Sequence, residues 1–130
     1  MAHPNEQGIR DVFDAFGDGD KRALFRVIAA DAVWTVPGTV PVARVYAGRE
    51  QIFELFKETR RLTEGSYRSD LRWSLADDEH AVALYRATGR RPDGRTLELD
   101  QLLMIAIRDG CWQEIVALPT DPDTFAAFWA

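Results

Sequence analysis

The first half of the chain combines helical patterns with one short extended run. Three segments place apolar side chains on one helical face, within residues 9–16, 24–28 and 52–59. The turn Gly17-Asp18-Gly19 ends the first predicted helix, and Gly65 limits the third, which starts near Arg49. Asp20 is placed to cap the second helix, which we expect to reach Ala30. A β-like run over residues 33–36 stands between the second and third helices.

From Tyr67 onward the apolar period changes from helical to strand-like. Tight-turn sequences divide this half into four extended runs near residues 67–76, 80–90, 96–108 and 111–118. Runs joined by such short turns pair antiparallel, which predicts a four-strand meander. A short helix follows, because Asp121-Pro122 places a capping acid before a proline at the first helical position.

The third of these runs has one polar residue on an otherwise apolar face. Every second residue from Leu97 to Ile107 is apolar except Gln101, so this face is predicted to point inward. A buried amide needs a hydrogen bond, which either a ligand or a neighbouring protein group supplies. Asp100 belongs to the opposite, mixed face and becomes a pocket acid only if a bulge reverses the alternation. On the last run the same alternation sends Ile115 and Ala117 inward.

Aromatic residues stand on the first helix, on the first extended run, on the loop between residues 37 and 48 and on the third helix. They are Phe13, Phe16, Trp34, Tyr46, Phe53 and Phe56. Phe13 and Phe56 lie at the centre of helical stripes, which is typical of core residues. Trp34 and Tyr46 flank the loop, and each carries a polar atom that needs a partner when buried. We therefore interpret Trp34 and Tyr46 as pocket residues.

Composition and charge exclude several classes of function. The 130 residues carry a net charge of −5, and nucleic acid binding needs a concentrated basic surface instead. No apolar run reaches the ~20 residues of a membrane span, and no signal peptide precedes the first helix, so we expect a cytoplasmic protein. The single cysteine, Cys111, and the two histidines, His3 and His80, give no metal site. No motif indicates a cofactor.

Two segments, D-A-V-W-T-V-P-G at 31–38 and V-Y-A-G-R-E-Q-I-F at 45–53, resemble the SnoaL-like, NTF2-like superfamily, which includes ketosteroid isomerases and polyketide cyclases. The resemblance covers almost the whole chain and implies one domain over residues 1–130. It implies an α+β cone, in which three N-terminal helices pack on a highly curved mixed β-sheet and a short C-terminal helix follows. The wide end of such a cone is expected to hold a ligand pocket lined by Phe16, Trp34, Val36, Tyr46, Phe56, Tyr85, Gln101, Leu103 and Ile115.

The residues that carry the chemistry of ketosteroid isomerases are replaced here. Aligning the chain with that family's pattern places Val12, Val36 and Leu103 at the positions of the tyrosine, the general base and the strand acid. Proton abstraction by that mechanism is therefore not expected. The remaining catalytic candidates are Tyr46, Tyr85, Arg86, Asp100 and Gln101. Arg86 and Asp100 would also be the partners in an epoxide-opening cluster, and the strand register at Arg86 stays open.

Three functions are compatible with these observations. The first is an isomerase, cyclase or hydrolase that shapes a hydrophobic ring-containing metabolite. The second is a binding protein that sequesters such a ligand without converting it. The third is an interaction module with a filled cone. We also expect a homodimer through the outer sheet face, with Leu102, Met104 and Trp112 near the contact.

Overall fold

The computed structural model describes residues 3–130, in which four helices pack on one curved six-stranded sheet. Along the chain the elements are α1 (Pro4–Asp18), α2 (Lys21–Val27), β1 (Ile28–Thr35), β2 (Val45–Ala47), α3 (Gly48–Leu62), β3 (Arg68–Ala76), β4 (His80–Arg90), β5 (Thr96–Arg108), β6 (Cys111–Pro119) and α4 (Pro122–Trp129). The predicted α+β class with a mixed sheet is confirmed. Within residues 3–130 no helix is long and apolar enough to cross a bilayer.

The helix ends follow from local capping chemistry. The carboxylates of Asp20 and Asp121 accept backbone N–H bonds at the starts of α2 and α4, as predicted. The side chain of His3 caps α1 and forms a reciprocal capping box with Glu6. Gly19 ends α1 with a φ of 68°, a left-handed conformation that glycine adopts without a steric cost.

The sheet has the strand order β2-β1-β6-β5-β4-β3. The strands β3 to β6 form the predicted antiparallel meander, and their bounds agree with the four predicted runs to within one residue. The strand β1 pairs in parallel with β6 and antiparallel with β2. The parallel pair makes the sheet mixed and brings Trp34 beside the last strand.

Two details of the N-terminal half differ from the prediction. The helix α2 ends at Val27 rather than at Ala30, because Ile28 already pairs with Trp112 of β6 as the first residue of β1. Residues 45–47, predicted as loop, form the short strand β2 on the edge of the sheet. The three helices that precede the meander are not consecutive along the chain, since two strands separate α2 from α3.

The predicted outward position of Trp112 is wrong. The register of β5 and β6 shifts between Ala106, which pairs with Glu114, and Ile107, which pairs with Trp112. This bulge adds Gln113 to β6 and turns Trp112 to the inner face. Trp112 is 1% exposed, and its ring lies 6.3 Å from that of Trp34.

The inner face of β4 carries one large side chain among three small ones. Its inward positions are Ala81, Ala83, Tyr85 and Ala87. Helices do not fill the whole concave side of a strongly curved sheet, and Tyr85 is the residue of β4 that borders the remaining space.

Candidate functional site

A cavity of about 80 Å³ lies between the helices and the inner face of the sheet. Side chains from every helix except α2 and from every strand except β2 line it, and most of them are apolar. The lining residues are Val12, Phe13, Phe16, Trp34, Val36, Val42, Leu55, Phe56, Thr59, Tyr67, Ser69, Tyr85, Gln101, Leu103, Ala117, Phe125 and Trp129. None of these side chains carries a formal charge.

The structure brings most of the predicted pocket residues together around this cavity. They are Phe16, Trp34, Val36, Phe56, Tyr85, Gln101 and Leu103. Val12, Val36 and Leu103, the aliphatic residues that the resemblance places at the ketosteroid isomerase positions, also line it.

Tyr46 and Ile115 do not line the cavity, although both were predicted there. The Tyr46 hydroxyl donates a hydrogen bond to the carbonyl oxygen of Val42 at 2.8 Å, and the Arg44 guanidinium lies 4.8 Å from its ring centre. Burial raises the pKa of Tyr46. Tyr46 thus holds the loop whose Val42 faces the cavity, rather than facing the cavity itself. Ile115 is completely buried, between its strand partners Trp34 and Ile105.

Aromatic rings in edge-to-face contact form one wall of the cavity. The Phe56 ring meets Trp34 at 5.2 Å and Phe16 at 5.1 Å between ring centres. Phe16 in turn contacts Tyr67 edge-on at 6.0 Å. Such contacts stabilise the arrangement beyond the burial of apolar area. The interpretation of Phe56 as an ordinary core residue is incomplete, because it is both buried and part of the cavity wall.

The polar centre of the cavity is a hydrogen-bonded pair on neighbouring strands. Tyr85 and Gln101 are direct partners across β4 and β5, and each is 5% exposed. The Gln101 amide Nε2 donates to the Tyr85 hydroxyl oxygen at 2.7 Å. The amide that interrupts the apolar face of β5 is thus bonded to a neighbouring side chain. Burial, reinforced by the nearby Tyr67, raises the pKa of Tyr85 well above its ordinary value.

Two further polar residues, Tyr67 and Ser69, were missed by the sequence analysis. Burial raises the pKa of Tyr67, and weaker polar contacts with Ser69 and Gln101 oppose that rise. Tyr67 directly precedes β3 and continues the inward face of Ser69 and Leu71 at the start of that strand. The spacing of two is visible in the sequence, but Ser69 is small and polar, so these positions do not form an apolar pattern.

Arg86 and Asp100 lie on the outer face of the sheet. They are partners across β4 and β5, and Arg86 Nη1 lies 3.0 Å from Asp100 Oδ1. No register shift interrupts the pairing of β4 with β5, so neither residue turns inward. The epoxide-opening cluster considered for them is therefore absent from the cavity. Within residues 3–130, no group of three or more His, Cys, Asp or Glu side chains is placed to hold a metal ion.

Comparison with known proteins gives one family and several relatives. The profile of the SnoaL-like domain matches residues 9–115. Rv0034, an uncharacterized protein of Mycobacterium tuberculosis, is 26% identical over 123 residues, which cover 94% of this chain and 93% of Rv0034.

Two solved structures show how similar the folds are. Bal32a, from a soil-derived mobile gene cassette, superposes with a TM-score of 0.94 at 26% identity, covering 99% of this chain and 98% of Bal32a. IdmH of Streptomyces antibioticus, described as a putative polyketide cyclase, superposes with a TM-score of 0.77 at 22% identity, covering 95% of this chain and 97% of IdmH.

Proposed function

Because this chain belongs to the SnoaL-like domain family, we propose that it binds a small hydrophobic ring-containing metabolite in the cavity and isomerises, cyclises or hydrolyses it. The observation that carries this proposal is the Gln101–Tyr85 pair, a buried polar pair in a cavity whose wall is otherwise mostly apolar. Such a combination is typical of small-molecule sites, where apolar walls supply affinity and a few polar groups set orientation.

The cavity limits the ligand that fits without rearrangement. Its volume of about 80 Å³ is well below the roughly 300–1,000 Å³ of drug-sized ligand sites. A ring-containing ligand therefore requires lining side chains to move. Phe13, Phe16 and Tyr67 line the cavity and are only partly buried. We expect the ligand to enter beside them.

The side chains of the cavity favour catalysis by shaping the substrate. The lining contains no carboxylate or imidazole that could abstract a proton at neutral pH. Its polar groups are hydroxyls and one amide, which hold and polarise a substrate. The description of IdmH as a putative polyketide cyclase supports a ring-forming or rearranging reaction over hydrolysis. A non-catalytic binding protein is the second candidate, favoured by the same lack of a base.

Native mass spectrometry with a pair of leucine variants tests this function. Ala117 lines the cavity, whereas Ala106 lies on the outer face of β5. We expect wild-type protein to retain a co-purified apolar compound or to bind apolar ring compounds when they are added. Ala117→Leu fills the cavity and should abolish that binding, while Ala106→Leu should keep it. Failure of wild type to bind any apolar compound would contradict the proposal, and turnover of the bound compound would separate enzyme from binding protein.

We also propose that the chain forms a homodimer through the outer sheet face. This face carries two apolar rows that run across four strands, here called the outer apolar rows. One is Trp73, Leu84, Leu102 and Leu118, and the other is Leu75, Val82, Met104 and Val116. Trp73, Leu75 and Met104 are 47%, 63% and 54% exposed. Exposed apolar rows of this size favour association.

A second copy of the chain is the partner that fits. A two-fold axis along the strands, between β4 and β5, places the outer apolar rows of one copy on those of the other. The same axis sets the Arg86–Asp100 pairs of the two copies face to face with their charges reversed. Both apolar and charged groups are then complementary, as an isologous interface requires.

A further inference from the structure

Two phenylalanine rings and three cations lie together where α2 meets α3. The Phe25 ring of α2 contacts the Phe53 ring of α3 edge-on at 6.0 Å between centres. Two ammonium groups approach the Phe53 ring, Lys21 Nζ at 4.8 Å and Lys57 Nζ at 5.6 Å from its centre. The Arg49 guanidinium lies 4.8 Å from the centre of the Phe25 ring. We call these five residues the α2–α3 patch.

The positive charge of the α2–α3 patch is only partly neutralised. Lys57 pairs with Glu54 at 2.7 Å, but within residues 3–130 neither Lys21 nor Arg49 has a carboxylate at ion-pair distance. The carboxylate of Asp20, just before α2, is occupied as the cap of that helix. Like charges that converge cost free energy unless an anion joins them. The patch is thus a basic surface on a chain with a net charge of −5.

Arg49 is fixed in position by the backbone around it. Its Nη2 donates to the carbonyl oxygens of Phe25 and Ile28 at 3.3 and 3.1 Å. Its Nε is buried and has no hydrogen-bond partner in the part of the chain that the structure describes. A charge held in this way loses less conformational entropy on binding an anion than a freely moving side chain does. Arg49 is therefore a pre-positioned anchor of the patch.

The spacing along α3 defines the pattern of a partner that fits. Arg49 and Lys57 are eight residues apart, which separates them by about 12 Å along the helix axis. Phe53 lies midway, so the order along the patch is cation, ring, cation. A partner helix with acidic residues at i and i+7 and an apolar residue at i+4 repeats this order over about 10 Å. Its carboxylates meet the two cations while its apolar side chain covers the rings.

A protein segment fits this patch better than other anionic polymers do. Nucleic acid and anionic membranes spread their phosphates over a wide area, and the net charge of −5 opposes their approach. Cations stand over the rings of Phe25 and Phe53, where a nucleobase would otherwise stack. The two rings are half-buried, so they offer shallow apolar contact rather than a wedge that inserts into a bilayer.

We propose that the α2–α3 patch docks a helical segment of a partner protein whose exposed face carries an acidic, an apolar and an acidic residue at i, i+4 and i+7. This interaction goes beyond the proposed function, because none of the five patch residues lines the cavity.

Fluorescence anisotropy with two designed peptides tests the inference on the full chain. The striped peptide is helical, labelled with fluorescein and about 20 residues long, with Glu, Leu and Glu at i, i+4 and i+7. The reordered peptide has the same composition but no face that carries this stripe. We expect wild type to bind the striped peptide at least about fivefold more tightly than the reordered one. The affinity for the striped peptide should fall as the salt concentration rises.

A matched pair of charge reversals locates the binding. Lys21→Glu should weaken binding of the striped peptide about tenfold, because it sets a carboxylate against the acids of the peptide. Residue 21 lies in the first turn of α2, where an acidic side chain suits the helix dipole, so the fold is retained. Arg90→Glu makes the same change in net charge at an exposed residue of β4 and should alter the affinity by less than about twofold. A striped peptide with one Glu replaced by Lys should recover binding to the Lys21→Glu protein.

The contrary outcomes are equally specific. No binding of the striped peptide, equal binding of the two peptides, or equal losses for Lys21→Glu and Arg90→Glu would each overturn the inference. Tighter binding of labelled single-stranded oligouridine or of phosphatidylserine vesicles, lost in Lys21→Glu, would also overturn it, since the patch would then serve nucleic acid or membrane. The proposed function stands apart from these results. Ala117→Leu, which fills the cavity, should leave the affinity for the striped peptide unchanged.

Discussion

The inner face of β4 and β5 buries polar groups, whereas the outer face exposes apolar ones. On the inner face, Tyr85 and Gln101 put polar atoms where water is excluded, and a single hydrogen bond joins them. On the outer face, Met104 of β5 puts apolar surface into water without cover from the same chain, as does Leu75 on the neighbouring strand β3. Buried polar atoms without a full set of hydrogen bonds and exposed apolar side chains both cost free energy unless a ligand or a partner chain covers them. The inner face is therefore the candidate for a ligand, and the outer face for a partner chain.

The same strands support both roles because adjacent residues point in opposite directions. Tyr85 and Gln101 face the cavity, while their neighbours Arg86 and Asp100 form an ion pair on the other side. The β4–β5 pairing has no register shift, so this division holds along the whole hairpin. Function on one face can thus be altered with little change on the other, which makes the comparison testable residue by residue.

The largest expected effect separates two tryptophans on opposite faces. Trp112→Ala should lower the free energy of unfolding by about 3–5 kcal/mol, because it leaves a void beside Trp34 in the core. Trp73→Ala should lower it by less than about 1 kcal/mol, because Trp73 is 47% exposed. Urea unfolding at low protomer concentration, which suppresses association, measures both. Similar losses for the two variants would contradict the assignment of the faces.

Most of the sheet could be predicted from local signals. The turn residues between the strands and the alternation along β5 were enough for strand bounds and for the inward position of Gln101. Both signals lie within a few residues of what they determine. The inward position of Trp112 depends instead on a bulge in β6. One extra residue forms this bulge and leaves the turn residues unchanged, so the turn sequence does not reveal it.

The candidate site was only partly predictable, because it depends on contacts between distant segments. Tyr46 was correctly expected to need a polar partner, but that partner is the carbonyl of Val42 in its own loop. Tyr67 contacts Gln101, a residue on β5, although Tyr67 directly precedes β3 and β3 is not adjacent to β5. The ending of α2 at Val27 likewise reflects the pairing of Ile28 with β6, which overrides the helical pattern.

A charge on the outer face tests whether that face is an interface. We expect wild type to sediment as a dimer at micromolar concentration. Met104→Glu places two unpaired carboxylates in the contact and should weaken the dimer by about 2–5 kcal/mol, roughly 30-fold or more. Thr96→Glu is the matched control, since Thr96 is exposed on the same strand but outside the outer apolar rows. A wild type that is monomeric under these conditions would contradict the proposed dimer.

The smallest expected effects test the comparison of the two faces most directly, because the two residue pairs are neighbours along β4 and β5. Double-mutant cycles with Tyr85→Phe and Gln101→Leu, and with Arg86→Ala and Asp100→Ala, measure the coupling within each pair. At low protomer concentration, where no partner covers the outer face, we expect about 1–2 kcal/mol for the buried neutral pair and about 0.2–1 kcal/mol for the half-exposed ion pair. Raising the salt concentration to about 1 M should reduce only the second value, since salt screens exposed charges. If instead the first coupling falls with salt, or the second exceeds it, the division of the sheet into a dry inner face and a wet outer face is wrong.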